Sequence, residues 1–368
     1  MARALQLAER ALYQSDPNPR VGCVLVKDGE VIAEGWTQAP GQAHAEVHAL
    51  QAARQQGQDA TGATAYVTLE PCCFTGKTGP CTQALIDAGI ARVVYAVVDP
   101  HPQVAGKGIA ALSEAGIEVV GPLMEDQARQ LNPGFFKRQQ TGLPFVRIKM
   151  AMSLDGRTAM ASGESKWITS APARRDVQYW RARSSAVISG IGTVQHDNPE
   201  LCVRPEELSI DAQQCRQPLR VIVDSKAQLT AGARTLKCPG KVLHVIGEDA
   251  GSHIASALMD IADEAYQCVA MPLKSGKIDL HELLRHLASL ECNEVLVEAG
   301  ATLAGQFVQQ GLVDEMIIYL APKLLGSRAR PLFDLPLDTM AAQLGLRIHD
   351  IRAIGQDWRI TATIDPEA

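Results

Sequence analysis

No stretch of about 18 apolar residues interrupts this 368-residue chain, so the sequence offers no membrane-spanning helix. Low-complexity tracts and internal repeats are also missing, which argues against a disordered tail or a solenoid. The first residues, MARALQLAERALYQ, lack the pattern of a signal peptide and read as an amphipathic helix. Nine cysteines, odd in number and without framework spacing, point to reduced thiols and a cytoplasmic setting. Charge of one sign is not in large excess. The net −6 divides evenly, with 11 basic and 14 acidic residues in 1–142 and 24 and 27 in the remainder. Neither part carries the basic footprint of a nucleic-acid binder, although local arginines can still hold a small anion.

Against that plain background stand His44-Ala45-Glu46, Pro71-Cys72 and Cys81. One histidine and two cysteines form a zinc-ligand set, and three protein ligands leave the fourth position of a catalytic zinc open to water. The cation lowers the pKa of that water towards neutrality. Glu46 is placed to carry protons from it to a departing amine, the arrangement of a zinc deaminase. Nucleic-acid deaminases separate their cysteines by two residues. Here eight intervene, Cys73 to Pro80, and CFTGKTGP has the composition of a loop. Cys81 opens the apolar-periodic stretch CTQALIDAGI, a helix start that favours the thiolate. His44 likewise precedes a helical pattern in which Val47, Leu50 and Ala53 recur. The plain alternative is a structural zinc or three unrelated buried residues; the glutamate and the Pro-Cys context favour catalysis. Cys73 reads as a bystander.

The length suggests two domains, 1–142 and 143–368. The first begins with a helix over 2–13 and a hairpin, GCVLVK and EVIAEGW joined by Asp28-Gly29. Strands at 63–69, 91–99 and 117–120 then alternate with helices at His44, Cys81 and 107–115, and a helix over 125–138 follows. This alternation predicts an α/β sandwich with helices covering the sheet. Residues 139–144 read as a linker. Strands follow at 145–150, 186–190, 219–225, 241–246, 293–300, 314–320 and 358–364, with helices near 171–182, 280–290 and 301–310. Short, wholly apolar strands between helices predict a largely parallel, buried sheet.

VLVEAGATLAGQFVQQG, in the second part, ends a strand at Glu298 and turns at Gly300 into a helix whose first N–H groups can receive a pyrophosphate. A second turn, Ser189-Gly190-Ile191-Gly192-Thr193, also follows an apolar strand. Neither is a GxGxxG fingerprint, and a glycine turn after a strand is more often a plain connection. Arg174, Arg175, Arg181 and Arg183 read mostly as a solvated face, although guanidinium suits bidentate phosphate binding. Ser153 to Arg157 reads as a turn and His196 to Pro199 as a polar loop.

Together PNPRVG (17–22), HAEVHAL (44–50), TLEPC (68–72) and GKTGPC (76–81) resemble the deaminase half of the bifunctional riboflavin-biosynthesis enzymes. IKMAMSLDGRTAMASGESKWITS (148–170), VEAGATLAGQFV (297–308) and APKLLG (321–326) resemble the reductase half. The resemblance implies a cytidine-deaminase-like α/β/α domain, a dihydrofolate-reductase-like α/β domain, one zinc ion and NADPH. It implies His44, Cys72 and Cys81 as zinc ligands, Glu46 as the proton shuttle, and Asn18 and Lys77 against the deaminase substrate. Cofactor positions are Ala151, Trp167, Thr193, Asp197, Ser225 and the turn Gly300, Ala301, Thr302, Leu303, Ala304, Gly305, Gln306. Ser165, Arg181, Leu201, Arg204 and Glu298 fall around the ribosyl phosphate, and Lys149 is a further candidate near the reacting carbon.

At 73–75 the chain reads Cys-Phe-Thr where the family has Ser-His-His, so a histidine contact to the pyrimidine loses its usual source. The chain also starts directly in its first helix, with less preceding sequence than many relatives. The implied reactions are hydrolysis of the pyrimidine 2-amino group, then hydride transfer to the opened ribosyl C1′, on phosphoribosyl pyrimidines rather than nucleic acid. A homo-oligomer, dimer or tetramer, is expected. A nucleoside or tRNA deaminase fused to an unrelated domain is the competing enzyme reading; the charge balance and the eight-residue loop speak against it. A zinc scaffold carrying a ligand-sensing module is the non-enzymatic one.

Overall fold

The computed structural model describes residues 1–210, 215–253, 258 and 265–365. They form two compact units, Met1–Leu143 and Pro144–Ala368.

The first unit is built from helices α1 (Ala2–Glu9), α2 (Ala45–Gln55), α3 (Cys81–Asp87), α4 (Lys107–Glu114), α5 (Glu125–Leu131) and α6 (Pro133–Thr141). Its strands are β1 (Gly22–Lys27), β2 (Glu30–Trp36), β3 (Thr64–Val67), β4 (Arg92–Tyr95) and β5 (Glu118–Val120), in the order β2-β1-β3-β4-β5. β1 is antiparallel to both neighbours, and β3, β4 and β5 run parallel. The hairpin has the expected bounds because Asp28 and Gly29 both take the positive φ its turn requires. Side-chain alternation along β1 sends Val24 to a cluster with Ala4 and Leu7 of α1. Leu25 joins the larger core with Ala49 and Leu50 of α2, Leu85 of α3 and Leu112 of α4. Helices thus cover the sheet as expected.

Several boundaries differ from the sequence reading: the strands expected over 63–69 and 91–99 span only Thr64–Val67 and Arg92–Tyr95. The first helix stops at Glu9, and Arg10, Ala11 and Leu12 continue as tighter turns bonded to carbonyls three residues back. The helix expected over 125–138 is two helices. Asn132 precedes a proline and leaves the helical region (φ −126, ψ 44). Its amide instead grips Arg20, accepting from the backbone N–H at 2.8 Å and donating to the carbonyl at 2.9 Å. Of the expected linker, Gln139 to Thr141 belong to α6, which ends at Gly142 in the left-handed region (φ 71).

In the second unit the strands are β6 (Phe145–Ser153), β7 (Arg157–Ala159), β8 (Ala186–Gly190), β9 (Leu219–Asp224), β10 (Val242–Gly247), β11 (Tyr266–Met271), β12 (Leu273–Lys274), β13 (Lys277–Ile278), β14 (Glu294–Val297), β15 (Glu315–Ala321), β16 (Arg330–Pro331), β17 (Leu346–Ile354) and β18 (Asp357–Ile364). Nine of them make one sheet, β11-β10-β9-β8-β14-β6-β15-β18-β17. It is parallel from β11 to β15, with antiparallel β18 and β17 closing one edge. Val187, Ile188, Val221, Ile222, Val295 and Leu296 are fully buried, which explains why these strands read as continuous apolar runs. The α-helices of seven or more described residues here are α7 (Ala171–Arg183), α8 (Ile191–Asp197), α9 (Leu280–Ser289) and α10 (Ala301–Gln309). Sequence reading missed β17. Its alternation, Leu346-Arg347-Ile348-His349 and then Ile351-Arg352-Ala353, is split by a bulge between Ile348 and Asp350, and the strand is exposed along almost its whole length.

Candidate active sites

In the first unit two helix starts bring the donor set together. His44 caps α2 in an extended conformation, and Cys81 is the first residue of α3, after Pro80. His44 Nδ1 lies 3.3 Å from Cys81 Sγ and 3.6 Å from Cys72 Sγ. The Cys81 backbone N–H points at Cys72 Sγ, 3.4 Å away. His44 Nε2 stands 3.2 Å from Thr78 Oγ1, which leaves Nδ1 to face the sulfurs. Three soft and borderline donors around one point fit zinc. A hydrogen bond from the Cys81 thiol, helped by His44, draws the Cys72 thiol down against the burial of its site. That bond and burial push the Cys81 thiol well up. Cys73 stands outside the set, with Sγ 3.6 Å from the Gln103 carbonyl.

Glu46, in the first turn of α2, is only 3% exposed. Burial, then the charge of Cys72, pushes its carboxyl up to about 7. Asn18 is half-buried in the loop after α1, and Lys77 is exposed on the Cys72–Cys81 loop. Among the described residues no side-chain hydrogen bond ties either one to the donor set.

Three neighbours escaped the sequence reading. Glu70 is 2% exposed, and its carboxylate accepts four backbone N–H groups, from Asp99 (3.2 Å), Gly106 (2.9 Å), Gly108 (2.9 Å) and Ile109 (3.1 Å). It fixes the 99–109 segment beside Pro71-Cys72. Gly108 fits there because a Cβ would stand 2.0 Å from the Pro71 carbonyl oxygen. Burial pushes the Asp99 carboxyl up to about 7 despite a hydrogen bond from the His101 N–H, with Glu70 and Cys72 adding to the rise. His101 stacks on Phe74, ring centroids 5.6 Å apart. An imidazole therefore stands beside the 73–75 departure, supplied by another segment. Glu70 lay in view within TLEPC, but its partners are amides 29 to 39 residues away.

The second unit holds a cleft of about 1260 Å3. Lining it are Lys149, Ala151, Ser165, Trp167, Arg181, Thr193, Asp197, Leu201, Arg204, Ser225, Glu298 and residues 300–303 and 306. Ala304 and Gly305 turn away. Ala304 is fully buried, and a Cβ on Gly305 would stand 2.3 Å from the Asp334 carbonyl. The two glycine turns converge, since Ser189 Oγ donates to the Glu298 carbonyl at 2.7 Å. His196 and Asp197 end α8 rather than lying in a loop. Asp197 Oδ1 accepts from Ser165 Oγ at 2.7 Å.

Arg181 and Arg183 do not lie on a solvated face. Arg181 grips Glu298 with two bonds, 2.5 and 3.0 Å, and Arg183 pairs with Glu294 at 3.2 Å. The sheet charges behind α7 recruit them. Lys149 Nζ lies 3.7 Å from the same Glu298 carboxylate. Burial of Glu298 is outweighed by Arg181 and Lys149, which hold its carboxyl below the ordinary value. Burial lowers the Lys149 ammonium, with Glu298 offsetting part of the effect.

A zinc donor set with a buried glutamate, on a sheet with helices on it, joined to a parallel-sheet unit with an anion-ready cleft, defines a zinc-binding deaminase fused to a second α/β catalytic unit. Residues 1–97 match the cytidine and deoxycytidylate deaminase zinc-binding region, and residues 144–360 match the RibD C-terminal domain. The chain is 48% identical to riboflavin biosynthesis protein RibD of Escherichia coli, covering 97% of this chain and 96% of the relative. Against RibD of Haemophilus influenzae the identity is 47%, over 99% and 96%. The solved structure of Acinetobacter baumannii RibD superposes with a TM-score of 0.90 at 46% identity, covering 99% of this chain and 97% of that one. The chain belongs to the RibD family of riboflavin biosynthesis proteins. It is a bifunctional enzyme, with an N-terminal cytidine-deaminase-like domain that binds zinc and a C-terminal reductase domain that uses NADPH.

The raised Glu46 pKa has a consequence for stability. The folded, metal-free site releases this proton near 7, whereas an ordinary glutamate does so near 4.5. Raising the pH between those values therefore favours the unfolded chain. Metal-free protein should lose stability relative to its Glu46→Gln variant across that window, by up to roughly 3 kcal/mol for a shift of this size. Urea denaturation at both ends of the window checks this; parallel curves for the two proteins would contradict it.

Proposed function

We propose that the first unit deaminates diaminohydroxyphosphoribosylaminopyrimidine and that the second reduces the resulting 5-amino-6-(5-phosphoribosylamino)uracil. These are the activities in the name of a Thermotoga maritima protein whose solved structure is similar to this chain, with a TM-score of 0.83 at 32% identity, covering 99% of this chain and 97% of that one. The observation that carries the reading is the buried Glu46 carboxyl beside the His44–Cys72–Cys81 donors. Zinc, when bound, supplies the Lewis acidity that makes water a nucleophile at neutral pH. Glu46 takes a proton from the attacking water and delivers it to the amine as the C–N bond breaks, so ammonia leaves and a carbonyl remains. Asn18 and Lys77 are assigned to substrate contact.

In the reductase, NADPH supplies the hydride when bound. Ala151, Trp167, Thr193, Asp197, Ser225 and residues 300–303 and 306 are assigned to it, and Ser165, Leu201, Arg204 and Glu298 to substrate. Arg204 is better suited than Arg181 to hold the 5′-phosphate. Its guanidinium pairs with Glu207 alone among the described residues, whereas Arg181 is bound to Glu298. Arg181 then orients Glu298 and the desolvated Lys149 towards the reacting C1′. Glu46→Gln should abolish deamination while leaving NADPH oxidation on supplied deaminated substrate unchanged; loss of both activities in a folded variant would refute independent sites.

We also infer a cytoplasmic homo-oligomer. Nine free cysteines support a reducing compartment, and among the described residues no helix is long and apolar enough to cross a membrane. The edge hairpin exposes Leu346, Ile348, Ile351 and Trp358 at 46–54%, an apolar strip suited to a second copy. Light scattering should give a dimer or tetramer, dissociated by Ile348→Asp with Ile351→Asp. A monomeric wild-type chain would overturn this.

A further inference from the structure

Glu200, Cys202 and Cys238 bring a carboxylate oxygen and two sulfurs within 4.8 Å of one another, in the unit that does not contain the deaminase site. Neither reaction uses these thiols. Two thiolates bound to one tetrahedral zinc at about 2.3 Å stand about 3.8 Å apart, so small side-chain rotations close this set around an ion. Sulfur donors exclude the oxygen-seeking magnesium and calcium, and two thiolates with a carboxylate suit zinc.

The backbone that carries the donors is held in place. The Cys202 carbonyl accepts from Arg181 Nη1 at 3.0 Å, and both backbone groups of Val203 bond the Gln217 amide at 2.8 Å. Cys238 follows the short turn Arg234–Lys237, and its carbonyl accepts from Arg220 Nη2 at 3.1 Å. Glu200 pairs with Arg234.

Arg220 supplies the second, independent observation. It is 1% exposed, yet among the described residues its guanidinium bonds only the carbonyls of Thr235, Cys238 and Gly240, and its Nε has no partner. Among the described residues no carboxylate pairs with it; burial lowers its pKa, and Cys238 and Cys202 work against that shift. A buried cation without a counter-anion is costly. Metal-bound thiolates at Cys202 and Cys238 would supply that anion.

We propose that Glu200, Cys202 and Cys238 form a second zinc site, with solvent as the fourth ligand. Glu200, Leu201, Arg204 and Arg234 border the reductase cleft, so the ion braces that wall by tying residues 200–204 to the turn before Cys238. The proposal does not depend on which substrate the cleft takes.

The test uses full-length protein equilibrated with excess Zn2+, desalted and analysed for metal. Two zinc ions per chain are expected, falling to one in Cys202→Ser and in Cys238→Ser while deamination persists. Glu200→Gln keeps both thiols and should loosen the second ion by about tenfold or more, since even outer-shell partners contribute that much. One zinc in the wild type, two in either cysteine variant, or a Cys202–Cys238 disulfide in freshly alkylated protein would each overturn the proposal.

Discussion

Buried charge must be neutralised where it sits, and this constraint organises both units. Glu70 is answered by four backbone N–H groups, which is why the 99–109 segment closes over Pro71-Cys72. Arg147, in the second unit, lies between Glu294 and Glu315 at the sheet centre, and Glu298 lies between Arg181 and Lys149 at the cleft. Removing one partner from such a set leaves an uncompensated charge, which is far more damaging than losing an exposed pair. Where protein partners run short, the chain offers a place for a cation. His44 opposes the charge of both Cys72 and Glu46.

The division of labour follows from this. The deaminase site lies at two helix starts, where the first-turn N–H groups favour anionic ligands. The reductase site is a broad cleft at the strand ends of a parallel sheet, the usual place for a nucleotide on such folds.

Much of the first unit was legible in the sequence because its signals are local. Asp28-Gly29 fixes the hairpin, and His44 and Cys81 each precede an apolar helical pattern. The parallel strands were legible because burial on both faces leaves unbroken apolar runs such as AVISG. Contacts between distant residues were not legible. Arg181 looks like one of several surface cations until the fold sets Glu298 beside it, 117 residues on. Glu70 finds backbone amides, which leave no trace in side-chain sequence. Apolar spacing runs through Asn132-Pro133 and hides the break there, and the bulge between Ile348 and Asp350 splits the alternation of β17 into two short pieces.

His44 is the most exacting point, because Thr78 beside Nε2 leaves Nδ1 to face both sulfurs. A crystal structure of the zinc-loaded protein with anomalous data at the zinc edge tests this directly. The expected result is a zinc peak bonded by His44 Nδ1 and the sulfurs of Cys72 and Cys81, at about 2.0–2.3 Å, with one position left to solvent beside Glu46. Ligation through Nε2, a fourth protein ligand, or no zinc at these residues would contradict it.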